Sequence, residues 1–375
     1  MSNIHQSCSA IPLHIQQHVA KYGDAEARVR AAATMRHTAR IAEDRSHALI
    51  RPANTAATLP AKRRIVYDAH HKQTLPGKLV MADGNAVSSD VEAMEAFDGS
   101  GVTYDFFNKV FGRKSIDDKG LPLISTIHYG RNFDNAMWNG RQMVYGDGDG
   151  KLFNRFTIAT DVMAHELTHG VTQNTAGLAY SGQSGALNEH LSDAFGIMTK
   201  QWMLGLIASQ SDWLIGKGLL GPLVRGKAIR SMKAPGSAYD DPVLGRDPQP
   251  AHMRNYVTTA DDNGGVHINS GIPNHAFYLI AIRLGGNAWV VPGRIWYVVL
   301  TTMLFPHAGF QDFASATVVA AGAEYGVGST IQMTVAQAWS DVGLAVPPPL
   351  MRKKQPARFH WRRRRLPRLA PRLAA

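Results

Sequence analysis

Two histidines and a glutamate in DVMAHELTHG, residues 161–170, have the types and spacing of a catalytic metal site. His165 and His169 are four residues apart. On a helix they would lie on one face, about 5–6 Å apart at Cβ, where both can bind one Zn²⁺. Glu166 follows the first histidine, where a general base for a zinc-bound water would stand. The alternative is a packed or solvated histidine pair, because such short motifs also occur by chance.

A second segment, GALNEHLSDAFG, supplies a third ligand candidate twenty residues after His169. Glu189 would be an oxygen ligand, and Asp193, one turn later, is placed to accept the outer N–H of a zinc-bound histidine. Three protein ligands and one open position describe a catalytic zinc rather than a structural one. The alternative is two acidic residues on a solvated face. Apolar residues at helical spacing surround these positions: Leu187, Leu191, Ala194, Phe195 and Met198.

The stretch HELTHGVTQNTAGLAYSGQSGALNEHLSDAFG resembles the zinc core of the thermolysin-like neutral metalloproteases, and the similarity extends over about residues 64–344. The resemblance implies an α+β fold of the thermolysin-like zincin type. Its N-terminal mixed domain, residues 64–183, would be rich in antiparallel strand, and its C-terminal domain, residues 184–346, mainly helical. The zinc helix would lie in the cleft between them. The implied activity is zinc-dependent endopeptidase.

The resemblance also assigns roles outside the zinc motif. His267 and Tyr180 would hydrogen-bond the oxyanion that develops on the substrate, and Arg230 would fix a substrate carbonyl. His267 lies in DNGGVHINSG, residues 262–271, whose glycines suit a tight turn before a helix. Asp262 lies five residues upstream of His267 and is placed to orient its imidazole. Without the family match, a loop histidine is more often surface decoration.

The substrate cleft is predicted on both sides of the zinc helix. By resemblance, Asn135 and Ala136 in NAMWN form a cleft edge whose backbone pairs with an extended peptide. The alternative for that stretch is a simple hairpin loop. By the same resemblance, four apolar residues would line the pocket for the residue after the scissile bond, which predicts cleavage before bulky hydrophobic residues. They would equally fit a hydrophobic core: Phe153, Phe156, Val162 and Ile229.

Other elements are read from periodicity and turn residues. Residues 64–67 and 78–81 are strand candidates, and residues 90–110 predict a helix with Val91, Met94, Val102, Phe106 and Val110 in the core. ISTIHYG and RQMVYGDGDG predict two strands of an antiparallel sheet, with GDGDG as a turn because no downstream Glu has calcium-loop spacing. Helices are predicted within 276–280, 293–304, 310–325 and 334–342.

Residues 1–50 predict a separate helical module without a core of its own, with Ile15, Val19, Tyr22, Val29, Ala33 and Met35 in imperfect amphipathic spacing. The module resembles the short propeptide of the protealysin-like branch, which implies an autoinhibitory segment removed on maturation. IPLHI departs from that branch's Pro-Pro-aromatic form. Residues 51–63 predict a linker suited to cleavage. The Cys8 thiolate is a candidate cap for zinc in a latent precursor, although an isolated Cys is usually inert.

The net charge of +11 over 375 residues belongs to the C-terminus, because residues 351–375 hold ten Lys or Arg and no acidic residue. Without those ten charges the chain is nearly neutral, so a specific nucleic-acid partner is not expected. Residues 347–375 predict a disordered or read-through tail, or else one that binds polyanions or acidic membranes. No apolar run reaches 18 residues, so no transmembrane segment is expected.

The N-terminus lacks the basic and apolar regions of a classical signal peptide. Secretion is therefore expected from the resemblance alone, with cytoplasmic retention as the alternative. A monomer is expected.

Calcium marks a departure from thermolysin. Of the positions that match its double calcium site, only Asp161 and Asp212 are acidic, and the others are Lys200, Leu214 and Lys217. Because two cations and a leucine cannot chelate Ca²⁺, the site is predicted to be lost. Asp161 and Lys200 are predicted to form a buried ion pair in its place.

Two other functions remain open from sequence. A zinc aminopeptidase would need a site for a free α-amine near the cleft, and no candidate is visible in the sequence. A latent or inactive zinc-binding precursor would act as a binding protein, with residues 1–50 kept in the cleft or with the basic tail as the binding element. Intact Glu166 and His267 argue against a degenerate site.

Overall fold

The structure, a computed structural model, describes residues 9–48, 62–84 and 87–346. Cys8, most of the predicted linker and the basic tail lie outside these residues. The N-terminal module forms two helices, α1 (Leu13–Tyr22) and the long α2 (Ala25–Ala48). Ile15 and Val19 are buried in the main core of the molecule, so the module uses the core of the body. Tyr22 and Val29 are exposed, contrary to the predicted apolar face.

Five short strands form one mixed sheet of order β2-β1-β3-β5-β4. The strands are β1 (Arg64–Asp68), β2 (Lys78–Ala82), β3 (Leu123–Ile127), β4 (Ala136–Trp138) and β5 (Met143–Tyr145). β1 pairs antiparallel with β2, and β4 with β5, whereas β3 lies parallel to both β1 and β5. The two predicted strands are confirmed as β3 and β5, but the prediction of an antiparallel sheet is wrong because the sheet is mixed. The short strand β4 reverses the chain between them, so β5 returns in the direction of β3.

Helix α3 (Val91–Phe111) crosses the sheet, and its N-cap Asp90 accepts hydrogen bonds from the backbone N–H groups of Glu92 and Ala93. Phe106 and Val110 are buried as predicted, but Val91 and Met94 are exposed. The buried face includes Gly99, where a Cβ would lie 2.0 Å from Cε of Met163. Helix propensity alone disfavours this glycine, and the close approach of the next helix explains it.

Two long helices hold the predicted zinc motif, α4 (Thr160–Gln173) and α5 (Gly182–Leu204). They pack closely at Gly196, where a Cβ would lie 2.5 Å from the carbonyl oxygen of Asp161. Nearly every α4 residue from Asp161 to Thr172 is buried. Such burial of charged residues is costly unless they are paired or bind a metal, so this helix pair indicates a functional site.

The rest of the described chain is mainly helical. Its helices are α6 (Asp262–Asn269), α7 (Gly271–Leu284), α8 (Val291–Thr302), α9 (Phe310–Tyr325) and α10 (Thr330–Asp341). The pairs β6 (Leu214–Ile215) with β7 (Arg230–Ser231), and β8 (Asp240–Asp241) with β9 (Gly245–Arg246), precede them. Stacked and edge-on rings of Phe277, Trp296, Phe313 and Trp339 fill the core between these helices. The predicted α+β class, with a strand-rich N-terminal part and a helical C-terminal part, is confirmed. Among the described residues, no helix is both long and apolar enough to cross a membrane.

Candidate active site

The structure brings three possible metal ligands together between α4 and α5. Nε2 of His165 lies 3.1 Å from Nε2 of His169. Glu189 meets both rings, with Oε2 3.3 Å from Nε2 of His165 and Oε1 3.4 Å from Nε2 of His169. All three side chains are at most 1% exposed. Tetrahedral zinc at 2.0–2.2 Å from each ligand separates the ligand atoms by about 3.4 Å, so the spacing fits Zn²⁺.

The outer nitrogens of both rings are held by acceptors. Nδ1 of His165 lies 2.8 Å from Oδ1 of Asp193, and Nδ1 of His169 lies 2.8 Å from Oδ1 of Asn188. With Nδ1 of each ring protonated, two lone pairs face each other at Nε2, and buried Oε2 of Glu189 has no hydrogen-bond partner among the described residues. A shared cation satisfies all three atoms, so the donor set fits a bound zinc ion.

These contacts also shift protonation in the metal-free chain. Burial opposes charge on His165, but the hydrogen bond and charge of Asp193 raise its pKa to about 9. Burial likewise favours neutral Glu189, yet the neighbouring His267 and His169 hold its pKa well below the ordinary value. The pocket therefore stabilises a carboxylate where a cation would bind, and zinc would replace a proton on His165.

Glu166 is fully buried, and its Oε2 accepts a hydrogen bond of 3.0 Å from the backbone N–H of Trp138. Trp138 ends β4, the edge strand of the sheet. The sequence did not indicate this contact, because it joins a helix to a strand 28 residues away through a main-chain group. It fixes the carboxylate beside the two imidazoles.

Asp193 joins the zinc motif to the helical half of the molecule. Arg230 donates to Asp193 from Nε at 2.9 Å and from Nη2 at 2.8 Å, and Asn274 donates from Nδ2 at 2.8 Å. Although burial favours the neutral acid, Arg230 and His165 hold the pKa of Asp193 below its ordinary range. Nη1 of Arg230 is buried without a hydrogen-bond partner in the described part of the chain, so it remains available to a substrate oxygen. Sequence reasoning missed Asn188 and Asn274, although Asn188 directly precedes Glu189.

His267 and Tyr180 lie on the other side of the ligand group. Asp262 accepts from Nδ1 of His267 at 2.6 Å and from its backbone N–H at 2.8 Å. Residues 262–265 all have positive φ, a left-handed turn that lets the aspartate reach back to the histidine and that the two glycines favour. Burial opposes protonation, but Asp262 raises the pKa of His267 to about 8. The Tyr180 hydroxyl donates to Oε1 of Glu189 and lies 3.2 Å from Nε2 of His267.

Part of the N-terminal module lies on the predicted cleft edge. The backbone N–H of Ala10 donates to the carbonyl oxygen of Ala136 at 2.9 Å. Asn135 accepts from the N–H of Ile11 at 2.8 Å and donates to its carbonyl oxygen at 3.2 Å. A cavity of about 320 Å³ separates this segment from His267. The chain itself therefore occupies the strand edge expected to hold a substrate.

The four apolar residues predicted to line a pocket are all at most 2% exposed and belong to the main core. The rings of Phe153 and Phe156 are 6.2 Å apart between centroids, and Ile229 lies in the loop that enters β7. Val162 is in the first turn of α4, on the metal helix. The structure thus places all four in the core, with Val162 on α4 itself.

Comparison with known families decides the identity. A sequence profile described as the catalytic domain of thermolysin metallopeptidases matches residues 42–173, and one described as their alpha-helical domain matches residues 176–344. The chain belongs to the thermolysin family of metallopeptidases. The predicted family, fold and enzyme class are confirmed, and the thermolysin family membership together with the His165, Glu166 and His169 group supports zinc.

Similar proteins include an extracellular metalloprotease of Pectobacterium carotovorum subsp. carotovorum, 51% identical over 90% of this chain and 97% of that protein. Protease PrtS of Photorhabdus sp. (strain Az29) is 46% identical over 76% of each chain. The solved structure of the protealysin precursor from Serratia proteamaculans superposes with a TM-score of 0.82. At 48% identity it covers 90% of this chain and is itself covered completely.

The predicted Asp161–Lys200 ion pair is confirmed. Nζ of Lys200 lies 3.3 Å from Oδ2 of Asp161, 3.3 Å from Oδ1 of Asp212 and 3.1 Å from the carbonyl oxygen of Leu214. Asp161 is 3% exposed and Lys200 is 16% exposed at the side chain. Burial raises the pKa of Asp161, and Lys200 opposes that shift. An ammonium group therefore lies among three oxygen atoms that would suit a cation.

Proposed function

We propose that this chain is the latent precursor of a zinc-dependent endopeptidase that cleaves on the N-terminal side of bulky hydrophobic residues. Membership of the metalloprotease family is the starting point, and bond specificity and self-processing are the steps beyond it. One observation carries the proposal: two histidines, Glu189 and Glu166 converge beside a strand edge to which a segment of the same chain is hydrogen-bonded.

His165, His169 and Glu189 would hold the zinc ion. When bound, Zn²⁺ supplies Lewis-acid polarisation of the substrate carbonyl and lowers the pKa of a coordinated water toward about 7. Glu166 accepts the proton that the attacking water loses, and later passes it to the leaving amine nitrogen. The N–H of Trp138 holds one oxygen of that carboxylate, which orients the base toward the ligand group.

The polar residues opposite Glu166 would stabilise developing negative charge. With Asp262 raising its pKa to about 8, His267 carries a proton at neutral pH and can donate from Nε2. The Tyr180 hydroxyl beside it, which donates to Glu189 in this structure, would redirect that proton to the substrate as a second donor. Arg230, anchored through two nitrogens to Asp193, directs its remaining Nη1 toward a substrate carbonyl. Donors fixed in advance cost little reorganisation during the reaction.

Selectivity would come from the apolar residues at the base of the metal helix. Val162 lies one turn before His165, and Phe153 and Phe156 pack as neighbours. Ile229 immediately precedes Arg230, so the apolar wall and the carbonyl anchor lie next to each other in the chain. A large apolar side chain after the scissile bond would bury its surface there, which favours Leu, Phe or Ile at that position.

The N-terminal module would keep the enzyme latent. Its contacts reach both halves of the body, because His14 meets the Tyr239 hydroxyl at 3.0 Å while Gln16 donates to the carbonyl oxygen of Asp134 at 3.0 Å. Backbone hydrogen bonds on the cleft edge exclude a substrate of any sequence. Removal of residues 1 to about 50–60 by the enzyme itself would open the cleft. Export follows from the same proposal, since a relative is named an extracellular metalloprotease.

A Lys200 ammonium in place of calcium completes the proposal. It neutralises Asp161 and Asp212 where they meet. The mature enzyme would therefore need zinc for activity but no calcium at this position for stability.

The test is hydrolysis of casein by the purified chain with and without a zinc chelator, while mass spectrometry follows the enzyme itself. The expected result is chelator-sensitive cleavage before bulky apolar residues after loss of the N-terminal module. Glu166→Gln is the matched control, because it should keep zinc yet neither process itself nor cut casein. An inert full-length chain that binds zinc would instead favour a latent binding protein.

A further inference from the structure

A second group of metal-binding side chains lies away from the active site, where α3, β3 and the turn after β5 meet. Ligand atoms of Glu92, His128 and Asp147 all lie within 4.8 Å of one another. Glu92 is in the first turn of α3, His128 directly follows β3, and Asp147 lies two residues after β5. Their side chains are 13%, 19% and 31% exposed, so the group is open to ions from solvent.

His128 is held so that one ring nitrogen faces two carboxylates. Its Nδ1 lies 2.9 Å from Oδ1 of Asp147 and 3.9 Å from Oε2 of Glu92. Its Nε2 lies 3.0 Å from Oδ2 of Asp90. The other oxygen of Asp90 accepts the N-cap hydrogen bonds of α3, so this carboxylate is fixed and accepts a hydrogen bond from Nε2–H of His128. Nδ1 is then the nitrogen that can bind a cation.

Negative charge in this group exceeds what its histidines neutralise. Three carboxylates, those of Asp90, Glu92 and Asp147, surround His128. Over the ranges that the structure describes, their ion-pair contacts are to His128 and to His71, whose Nδ1 is 3.2 Å from Oδ2 of Asp147. Oε2 of Glu92 is buried and has no hydrogen-bond partner there. A buried carboxylate oxygen without a donor is costly unless the group is protonated or a cation is present.

We propose that Glu92, His128 and Asp147 form a second binding site for a divalent first-row metal ion, Zn²⁺ in particular. The ligands are Oε2 of Glu92, Nδ1 of His128 and Oδ1 of Asp147. One imidazole nitrogen with two carboxylate oxygens is a ligand set that suits Zn²⁺ and Mn²⁺. Water would complete the coordination from the exposed side.

The active site of the same molecule shows the same pattern. There the outer nitrogen of a ligand histidine lies 2.8 Å from the carboxylate of Asp193, and the ligand atoms converge at 3.1–3.4 Å. At the second site Asp90 is the carboxylate on the outer nitrogen, as Asp193 is at the first. Nδ1 of His128 lies 2.9 Å from Oδ1 of Asp147 and 3.9 Å from Oε2 of Glu92. Small side-chain shifts would bring both distances to the roughly 3.4 Å between ligand atoms that tetrahedral Zn²⁺ requires. A carboxylate on the outer nitrogen fixes the ring and raises its basicity as a ligand.

The ion would tie three elements together. Asp147 begins the turn in which Asp149 accepts hydrogen bonds from the backbone N–H groups of Lys151, Leu152 and Phe153. The bound metal would therefore brace the loop that leads to Phe153, without touching the catalytic residues. Its role is structural, and it is independent of the peptidase reaction.

The proposal is tested by measuring the zinc content of the full-length Glu166→Gln chain after dialysis against buffered Zn²⁺. The Glu166→Gln change is included to prevent self-cleavage. Two zinc ions per chain are expected, and one after the further change Glu92→Gln. Asp147→Asn is a second variant that should also lose one ion. Asp105→Asn is the matched control, because Asp105 lies on the same helix α3 but pairs with Lys62 and Lys109.

Affinity and melting temperature give a second readout. Each ligand variant should bind the second zinc at least tenfold more weakly. Added Zn²⁺ should raise the melting temperature of the one-zinc Glu166→Gln chain and of its Asp105→Asn variant, but not of the two ligand variants. One zinc per chain before any ligand change, or a second zinc that binds equally in Glu92→Gln and Asp147→Asn, would overturn the site.

Discussion

Ile11 and Asn135, 124 residues apart in sequence, are joined by two hydrogen bonds between the Asn135 amide and both backbone polar groups of Ile11. A side-chain amide that hydrogen-bonds to both the N–H and the C=O of one residue binds the backbone of that residue, whatever its side chain is. The same amide is the predicted anchor for a substrate. If Asn135 anchors a substrate as predicted, then the N-terminal module and the substrate would compete for one set of hydrogen-bonding groups.

Arg30 should be the main electrostatic anchor of the module. It pairs with Asp134 through Nε and Nη2, and their side chains are 14% and 6% exposed. Arg30→Ala leaves Asp134 buried without its cation, a loss of about 3–5 kcal/mol for a buried pair. Amide hydrogen exchange of α1 and α2 in the inactive Glu166→Gln precursor should accelerate strongly.

Glu26→Ala serves as the control for Arg30, because Glu26 lies on the same helix and pairs with Lys151 at the surface. Exposed pairs contribute little, so exchange in α1 and α2 should remain close to that of the parent. Equal exchange in the two variants would show that the Arg30 pair does not hold the module.

Acid should loosen the module through His14. Burial lowers the pKa of His14 from 6.5 to about 4, and nearby His267 and Arg230 add to the shift while Asp262 opposes it. Because the docked state prefers neutral imidazole, its stabilisation is complete above pH 6.5 and is lost as the pH falls toward 4. The protection of α1 from amide hydrogen exchange, corrected for the pH dependence of the intrinsic exchange rates, should therefore fall as the pH is lowered from 6.5 toward 4.

His14→Gln removes the titrating ring and keeps a polar group beside the Tyr239 hydroxyl. The fall in protection between pH 6.5 and 4 should become shallower in this variant. If the parent and the variant lose protection along the same curve, then another group controls release.

The zinc motif could be predicted from sequence because its information is local. Residues one helical turn apart lie on the same face of the helix. The pairing of His165 with His169 could therefore be predicted without knowledge of the tertiary structure. Resemblance located His267 and Arg230. What escaped prediction depends on contacts between distant elements: Asn188 toward His169, Asn274 toward Asp193, and the Trp138 N–H toward Glu166.

Strand direction escaped prediction for a related reason. Alternating patterns show which face of a strand is buried but not which neighbour it pairs with or in which sense. β3 and β5 were expected to belong to an antiparallel sheet, yet they pair in parallel because β4 lies between them in the chain. Helical spacing placed Val91 and Met94 in the core. Both lie at the start of α3, and the structure shows that their side chains are exposed to solvent.

Asn188 should be required for tight zinc binding. It holds Nδ1 of His169 and so presents Nε2 to the metal. Loss of such a supporting partner lowers metal affinity about 10–100-fold. The Asn188→Ala variant should therefore bind zinc about 10–100-fold more weakly than the parent chain. Competition with a fluorescent zinc indicator measures this affinity.

The control for Asn188 is Asn174→Ala, because the Asn174 side-chain amide donates to the carbonyl oxygen of Gly170 near the end of the metal helix. Its zinc affinity should equal that of the parent. A parent-like affinity in Asn188→Ala would mean that Ser192, whose hydroxyl is 3.1 Å from Nδ1 of His169, orients the ring sufficiently alone.

Lys200 should be convertible into a calcium ligand. Its ammonium lies among carboxylate oxygens of Asp161 and Asp212 and the carbonyl oxygen of Leu214. Lys200→Glu replaces the internal cation with a third carboxylate, an oxygen set that Ca²⁺ favours. Without calcium the variant should melt roughly 10 °C below the parent, because a buried charge then lacks its partner. Millimolar Ca²⁺ should restore much of that loss and leave the parent's melting temperature unchanged.

Lys217→Glu is the matched control, since exposed Lys217 contacts Asp212 alone among these groups. A calcium-dependent melting temperature in the parent would show instead that a metal ion, and not Lys200, neutralises Asp161.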